Sequence, residues 1–224
     1  MSKEILDNFI GINFVLPLFA IVLLLITFRR NSTPMKWFTS ALIFTWIPIP
    51  ISLFLLSLRI NPNYANSGFY VLALLLYMPF YYHVINRPAL KSWFIGLTTA
   101  QVVFGTINVL FIQKETINSY SSISFNLIVI VCSLLYYYSL LRGDFRENIV
   151  QMPAFWLVTA FFIQCSGQVI IISFTFYLIN VHQDNLVLLW VFHHGLSITT
   201  EVINLYGAAL HFRQVKSRQS SPGS

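Results

Sequence analysis

The sequence predicts an all-α integral membrane protein, a seven-transmembrane-helix bundle with its N-terminus outside and its C-terminus cytoplasmic. Three observations predict it. Hydrophobic residues make up 57% of the 224-residue chain and charged residues only 9%, whereas soluble globular domains carry about 25% charged residues. The apolar residues gather into seven runs of about 20 residues, the length that crosses a hydrocarbon core of about 30 Å. The basic residues then alternate across those runs. Arg29, Arg30, Lys36, Arg87, Lys91, Arg142, Arg146, Arg213, Lys216 and Arg218 fall on one side, against Lys3, Arg59 and Lys114 on the other. Cytoplasmic loops are enriched in Lys and Arg, which sets the orientation.

The first run, Phe9–Phe28, contains Pro17 and follows Lys3, Glu4 and Asp7. A signal peptide needs a basic n-region and a small-residue cleavage site, so this run reads as a helix that stays in the membrane. The second, Trp37–Leu58, carries Ile47–Pro48–Ile49–Pro50–Ile51. Each proline removes a helical hydrogen bond, and two in one turn mark Pro48 and Pro50 as a hinge. Asn61–Ser67 is a turn-rich outer connection. The third run, Phe69–Ile85, holds Pro79 and closes on the interfacial aromatics Tyr81, Tyr82 and His83.

The fourth run is Trp93–Ile112 and the fifth Ile123–Leu141, closing on Tyr136–Tyr138. The sixth, Phe155–Leu178, is joined by a turn at Asn180–Asn185 to the seventh, Leu186–Phe212. Trp37, Trp93 and Trp156 open helices from the cytoplasmic side and Trp190 opens one from outside, all interfacial belt positions. No run alternates with period two, so the segments are helices and not barrel strands. Residues 1–212 then form one transmembrane domain. The polar residues 213–224 form a disordered cytoplasmic tail.

Polar residues inside the runs are the functional candidates, because a polar stripe in a membrane helix must face other helices or water. His194, Ser197, Glu201 and Asn204 are spaced +3, +4 and +3 and share one face of the seventh helix. His193 lies about 100° around from His194. Gln164 and Gln168 on the sixth helix, Gln101 and Asn108 on the fourth, Tyr77 on the third and Asn126 on the fifth are the matching partners. The ligand-binding candidates are therefore Gln164, Gln168, His193, His194, Ser197, Glu201, Asn204, Gln101 and Tyr77. Such residues also serve as interhelical glue, and Glu201 resists that reading most, being the one acidic residue well inside a run.

Several chemistries are excluded. A retinal Schiff base needs a mid-span lysine, and every lysine lies in a loop or tail. A zinc hydrolase needs converging His and acidic ligands, whereas His193, His194 and Glu201 sit on one helix and adjacent histidines diverge. Facing histidines for haem, a phosphate loop and a nucleophile elbow are all missing. No catalytic residue, metal or cofactor is expected, and no enzyme. The basic residues lie in short loops beside apolar runs and suit anionic lipid, not nucleic acid. Cys132 and Cys165 lie inside apolar runs and read as small packing residues.

Pro153–Ala154–Phe155–Trp156, Phe161–Phe162 with Ser166–Gly167, and Leu189–Trp190 with His193 before Glu201–Asn204 form a pattern over residues 150–210. It resembles small seven-helix membrane proteins and the seven-helix sensor segments of Bacteroidota-type sensor histidine kinases. The resemblance implies a bacterial cytoplasmic (inner) membrane. With no phosphoacceptor helix or ATP-binding domain after Arg213 in this sequence, the output is expected from a histidine kinase or other cytoplasmic signalling protein as partner, or from a region outside this sequence. The expected function is a non-enzymatic sensory or regulatory membrane module. It would bind a small or lipid-like ligand or a partner membrane protein, move at Pro48 and Pro50, and signal at the basic inner face, with homo-oligomerisation open to it. The alternatives are a small-solute transporter built of three-helix repeats, for which Pro17, Pro48 and Pro50 lack counterparts, a subunit of a larger membrane complex, and, less favoured, a membrane enzyme.

Overall fold

Long apolar segments poor in glycine, with proline only at isolated positions, satisfy their backbone most economically as helices. The computed structural model describes residues 3–47, 51, 54, 55, 57, 58, 63–85, 88–113, 119–142, 148–181 and 186–220. Seven long α-helices occur among the described residues, and no strand. They are α1 (Lys3–Ile26), α2 (Thr33–Trp46), α3 (Asn63–Val84), α4 (Pro88–Ile107), α5 (Ser119–Leu141), α6 (Pro153–Val181) and α7 (Leu186–Ser220). Single 3₁₀ turns stand at Phe28–Arg30 and Ile149–Gln151, and α4 widens into a π-helical turn at Asn108–Ile112.

Each helix corresponds to one apolar run of the sequence, in the same order. Three are long and apolar enough to cross a membrane among the described residues: Ser92–Ile112, Ser119–Leu141 and Pro153–Thr175. Shorter apolar stretches occupy Gly11–Ile26 and Gly68–Val84. Pro17 and Pro79 lie inside α1 and α3 as expected. The predicted hinge, Pro48 and Pro50, lies outside the described residues, as does the Lys/Arg content of several loops.

Several boundaries differ from expectation: α1 begins at Lys3 and not Phe9, α2 is described as Thr33–Trp46, α4 begins at Pro88 and not Trp93, and α6 runs to Val181, so Asn180 is helical and not part of a turn. Residues 63–67 belong to the first turns of α3, not to a turn-rich loop. The tail expected to be disordered from Arg213 is helical to Ser220. Gln, Lys, Arg and Val can extend a helix already nucleated by the preceding turns, because propagation costs far less than initiation. With 35 residues, α7 is about 52 Å long, well beyond the roughly 30 Å of a bilayer core.

The helices group into two compact units, Met1–Asn31 with Gly143–Ser224, and Ser32–Arg142. In the first, α7 packs along both α6 and α1. Glycine permits the α6–α7 approach from both sides. A Cβ at Gly167 would run into the Leu196 side chain, and one at Gly207 would stand 2.8 Å from Leu157 Cδ2. Small residues at helix crossings are how membrane helices gain close packing. Trp156 adds an edge-on contact to Tyr206, centroids 4.9 Å apart, while its indole N–H donates to the Val150 carbonyl at 2.8 Å.

In the second unit α3 is the hub, packing against α2, α4 and α5. Phe38 meets Phe80 at 5.2 Å, and Phe44 meets Phe69 at 5.4 Å. Tyr81 shares a 2.8 Å hydrogen bond with Ser133, and the Cys132 thiol lies 3.9 Å from Met78 Sδ. Cys132 and Cys165 are both buried and free.

Candidate functional site

The seventh helix places its polar residues on two faces, because consecutive residues are turned by about 100°. His194 points to α1, where Asn13 Nδ2 lies 2.7 Å from its Nδ1. His193 points to α6, where Gln168 Nε2 lies 3.0 Å from its Nδ1. The two histidines therefore diverge, each held by an amide from a different helix. An amide N–H donating to Nδ1 leaves the imidazole proton on Nε2.

About two turns further along, the Thr200 hydroxyl lies 2.7 Å from Gln164 Oε1 and 2.8 Å from the Ser197 carbonyl. Its single proton serves one acceptor at a time. Asn204 Nδ2 donates weakly to Glu201 Oε2 at 3.5 Å. Thr200 and Asn204 are buried, whereas Ser197 and Glu201 are partly buried. Oδ1 of Asn204 and Oδ1 of Asn13 are buried without a hydrogen-bond partner among the described residues. Native structures leave few such atoms, so these two mark spare hydrogen-bonding capacity beside the stripe.

Toward the helix end, His211 Nε2 donates to Asn31 Oδ1 at 2.9 Å, and Asn31 Nδ2 donates to the Leu24 carbonyl at 3.2 Å. The carbonyl contact fixes the amide, and the amide fixes the histidine. Gln214 Nε2 donates to the Gln151 carbonyl at 2.7 Å, tying the extension of α7 to the turn before α6. From His193 to His211 the polar line runs about 27 Å at 1.5 Å per residue, close to the full depth of a bilayer core.

A cleft of about 120 Å³ opens between α6 and α7, lined by Gln168, Ile171, Leu189, Trp190 and His193. Trp190 stands edge-on to His193 and tilted to His194, both with centroids 5.8 Å away. The two imidazoles are 5.3 Å apart.

Of the predicted residues, Gln164, Gln168, His193, His194, Ser197, Glu201 and Asn204 all lie in the first unit, along α6 and α7. Gln101 and Tyr77 belong to the second, where Gln101 Nε2 donates to the Ser121 carbonyl at 3.3 Å and Tyr77 packs near Phe125. Asn108, also expected to serve α7, donates to Gln113 Oε1 at 3.1 Å and Ser121 Oγ at 2.8 Å. Gln113 in turn donates to Ser119 Oγ and accepts from the Tyr120 backbone N–H. This cluster closes the end of α4, where the π-turn widens the helix and presents Gln113 to the start of α5.

Sequence reasoning missed Asn13, Asn31 and His211. Asn13 and Asn31 contact residues about 180 positions away, and no spacing within one helix announces such a pair. A lone Asn in the apolar first run was the one available signal. Among the described residues no three His, Cys, Asp or Glu side chains gather as a metal site. No protein-family model, curated protein or solved structure matches this chain significantly.

Proposed function

We propose that the chain is a seven-span membrane protein, N-terminus outside, and a non-enzymatic sensory or regulatory module of a bacterial cytoplasmic membrane. The membrane part rests on the three span-length apolar helices and on the outward surface of the others. Val15, Phe19, Val22 and Ile26 on α1, and Trp190, Phe192, Val202 and Tyr206 on α7, are all exposed. A soluble monomer rarely leaves such faces open, and lipid accommodates them. The ten basic residues on one side give the orientation.

The sensory part rests on one observation above the others. A single unbroken helix carries Glu201 and both histidines within the span and continues to Arg213, Lys216 and Arg218. A ligand or partner helix that favours one arrangement of the His193–Gln168, His194–Asn13 and Thr200–Gln164 pairs shifts α7, and α7 carries the shift to its basic end. Only such differential binding can move a conformational equilibrium. The reading assigns the output to a separate cytoplasmic protein, of histidine kinase type by the resemblance over residues 150–210. The transporter alternative requires two consecutive three-helix repeats. Grouping α1 with α6 and α7 gives that design no support.

The test is purification of the tagged full chain from native membranes in mild detergent, with mass spectrometry of the proteins and lipids that accompany it. A histidine kinase or response regulator in stoichiometric amount, lost in Glu201→Gln or His194→Ala, supports the proposal. Solute uptake by proteoliposomes of the purified chain would replace it with transport.

A further inference from the structure

The cleft between α6 and α7 has a lining specific enough to name what fits it. Three of its five residues are aliphatic or aromatic, Ile171, Leu189 and Trp190, and two are polar, Gln168 and His193. With Gln168 Nε2 at His193 Nδ1, the histidine offers Nε2–H as a hydrogen-bond donor. The ligand must therefore supply an acceptor. It must also be uncharged, because α6 and α7 carry no Lys or Arg between Pro153 and Phe212, and an uncompensated anion at this depth is costly.

Size and shape narrow the class further. A cavity of about 150 Å³ lined by apolar side chains accepts benzene. The 120 Å³ cleft is smaller but open on one side, so it takes one edge of a single ring and leaves the rest of the ring outside. Trp190 and His193 set edge-on give that ring one aromatic face and one edge to pack against. Ile170 and Phe192, next to lining residues in sequence, and Phe174, one turn after Ile171, are exposed and would carry an apolar substituent out into lipid.

We propose that this cleft binds a neutral, membrane-soluble ring bearing a carbonyl acceptor, the chemistry of a quinone head group with an alkyl tail. His193 Nε2 donates to the carbonyl, Gln168 holds the imidazole in the donating tautomer, and Trp190 with Leu189 and Ile171 flanks the ring. The proposal rests on the α6–α7 stripe being a ligand site, and it names the ligand class for that stripe.

The experiment is equilibrium binding of tritiated decylubiquinone to the full chain in nanodiscs, with partition into empty nanodiscs subtracted. The expected result is one saturable site, weakened at least tenfold by His193→Phe and by Gln168→Leu, and held within twofold by Thr106→Val in the other unit. Leu189→Phe, which fills the cleft without removing a polar group, should also abolish binding while leaving the protein folded. The tail-less quinone head group should compete, and decanol should not. Non-saturable uptake, equal binding by all variants, or displacement by decanol as strong as by the head group would each overturn the proposal. If a kinase still co-purifies in a Glu201-dependent manner when quinone binding fails, only the ligand class falls. Loss of both removes the sensory reading as well.

Discussion

The polar clusters of the two units use their hydrogen bonds differently. In the second unit Gln101, Asn108, Gln113, Ser119 and Ser121 form a tight group of neutral amides and hydroxyls, none more than 20 residues from its partner. It closes one end of the α4–α5 pair. In the first unit the pairs are isolated and include ionisable imidazoles and a carboxyl; two of them, His194–Asn13 and His211–Asn31, join residues about 180 positions apart. Buried side-chain oxygens without a hydrogen-bond partner among the described residues occur in both units, at Asn13 and Asn204 in the first and at Tyr136 in the second. A dense neutral cluster is a device for holding helices. The sparse ionisable pairs of the first unit are where the proposed ligand or partner would bind.

Four experiments break or sharpen that contrast. The largest effect is expected from Gly167→Leu, whose side chain would collide with Leu196. Overpacking of this kind costs about 3 kcal/mol, and thermal unfolding in detergent should show it. Gln113→Leu follows. It removes the partner of the Ser119 hydroxyl and of the Tyr120 N–H together, while Asn108 keeps its bond to Ser121, and buried groups left unpaired cost about 2 kcal/mol. The same assay should rank it close behind.

Asn13→Leu removes one amide from one imidazole and should cost about 1 kcal/mol, clearly less than Gln113→Leu. If the two were equal, the first unit's pairs would be holding the fold as firmly as the second unit's cluster. Smallest of the four is the Thr200–Gln164 coupling. A double-mutant cycle of Thr200→Val and Gln164→Leu should return about 0.6 kcal/mol, the typical worth of an interhelical hydrogen bond in a membrane.

Helix number and order were legible because hydrophobic run length is a strong signal, and Leu141 and Leu186 stand at helix boundaries where the sequence placed them. Helical spacing also foretold that Gln164 and Gln168 serve α7, with His193 and His194 turned to different neighbours. What escaped is equally physical. The 213–220 segment was read from composition, although a helix already under way extends through Gln, Lys and Arg at little cost. Gln113 and Ser119 looked like loop residues, and only the π-turn at Asn108–Ile112 brings them together. Asn13 and Asn31 depend on contacts between the first helix and the last, which no local pattern encodes.

The central claim is that the α7 stripe is kept for binding and not for packing, and Glu201→Gln tests it most directly. The substitution preserves shape and hydrogen-bonding capacity while removing the ionisable carboxyl. Wild type and variant should be purified side by side from native membranes, with the unfolding temperature and the co-purifying kinase or ligand measured on the same samples. The account predicts unfolding temperatures within about 2 °C, under 1 kcal/mol for a chain of this size, and loss of the bound partner. A variant that retains its partner in full, or loses it only in proportion to lost stability, would contradict it.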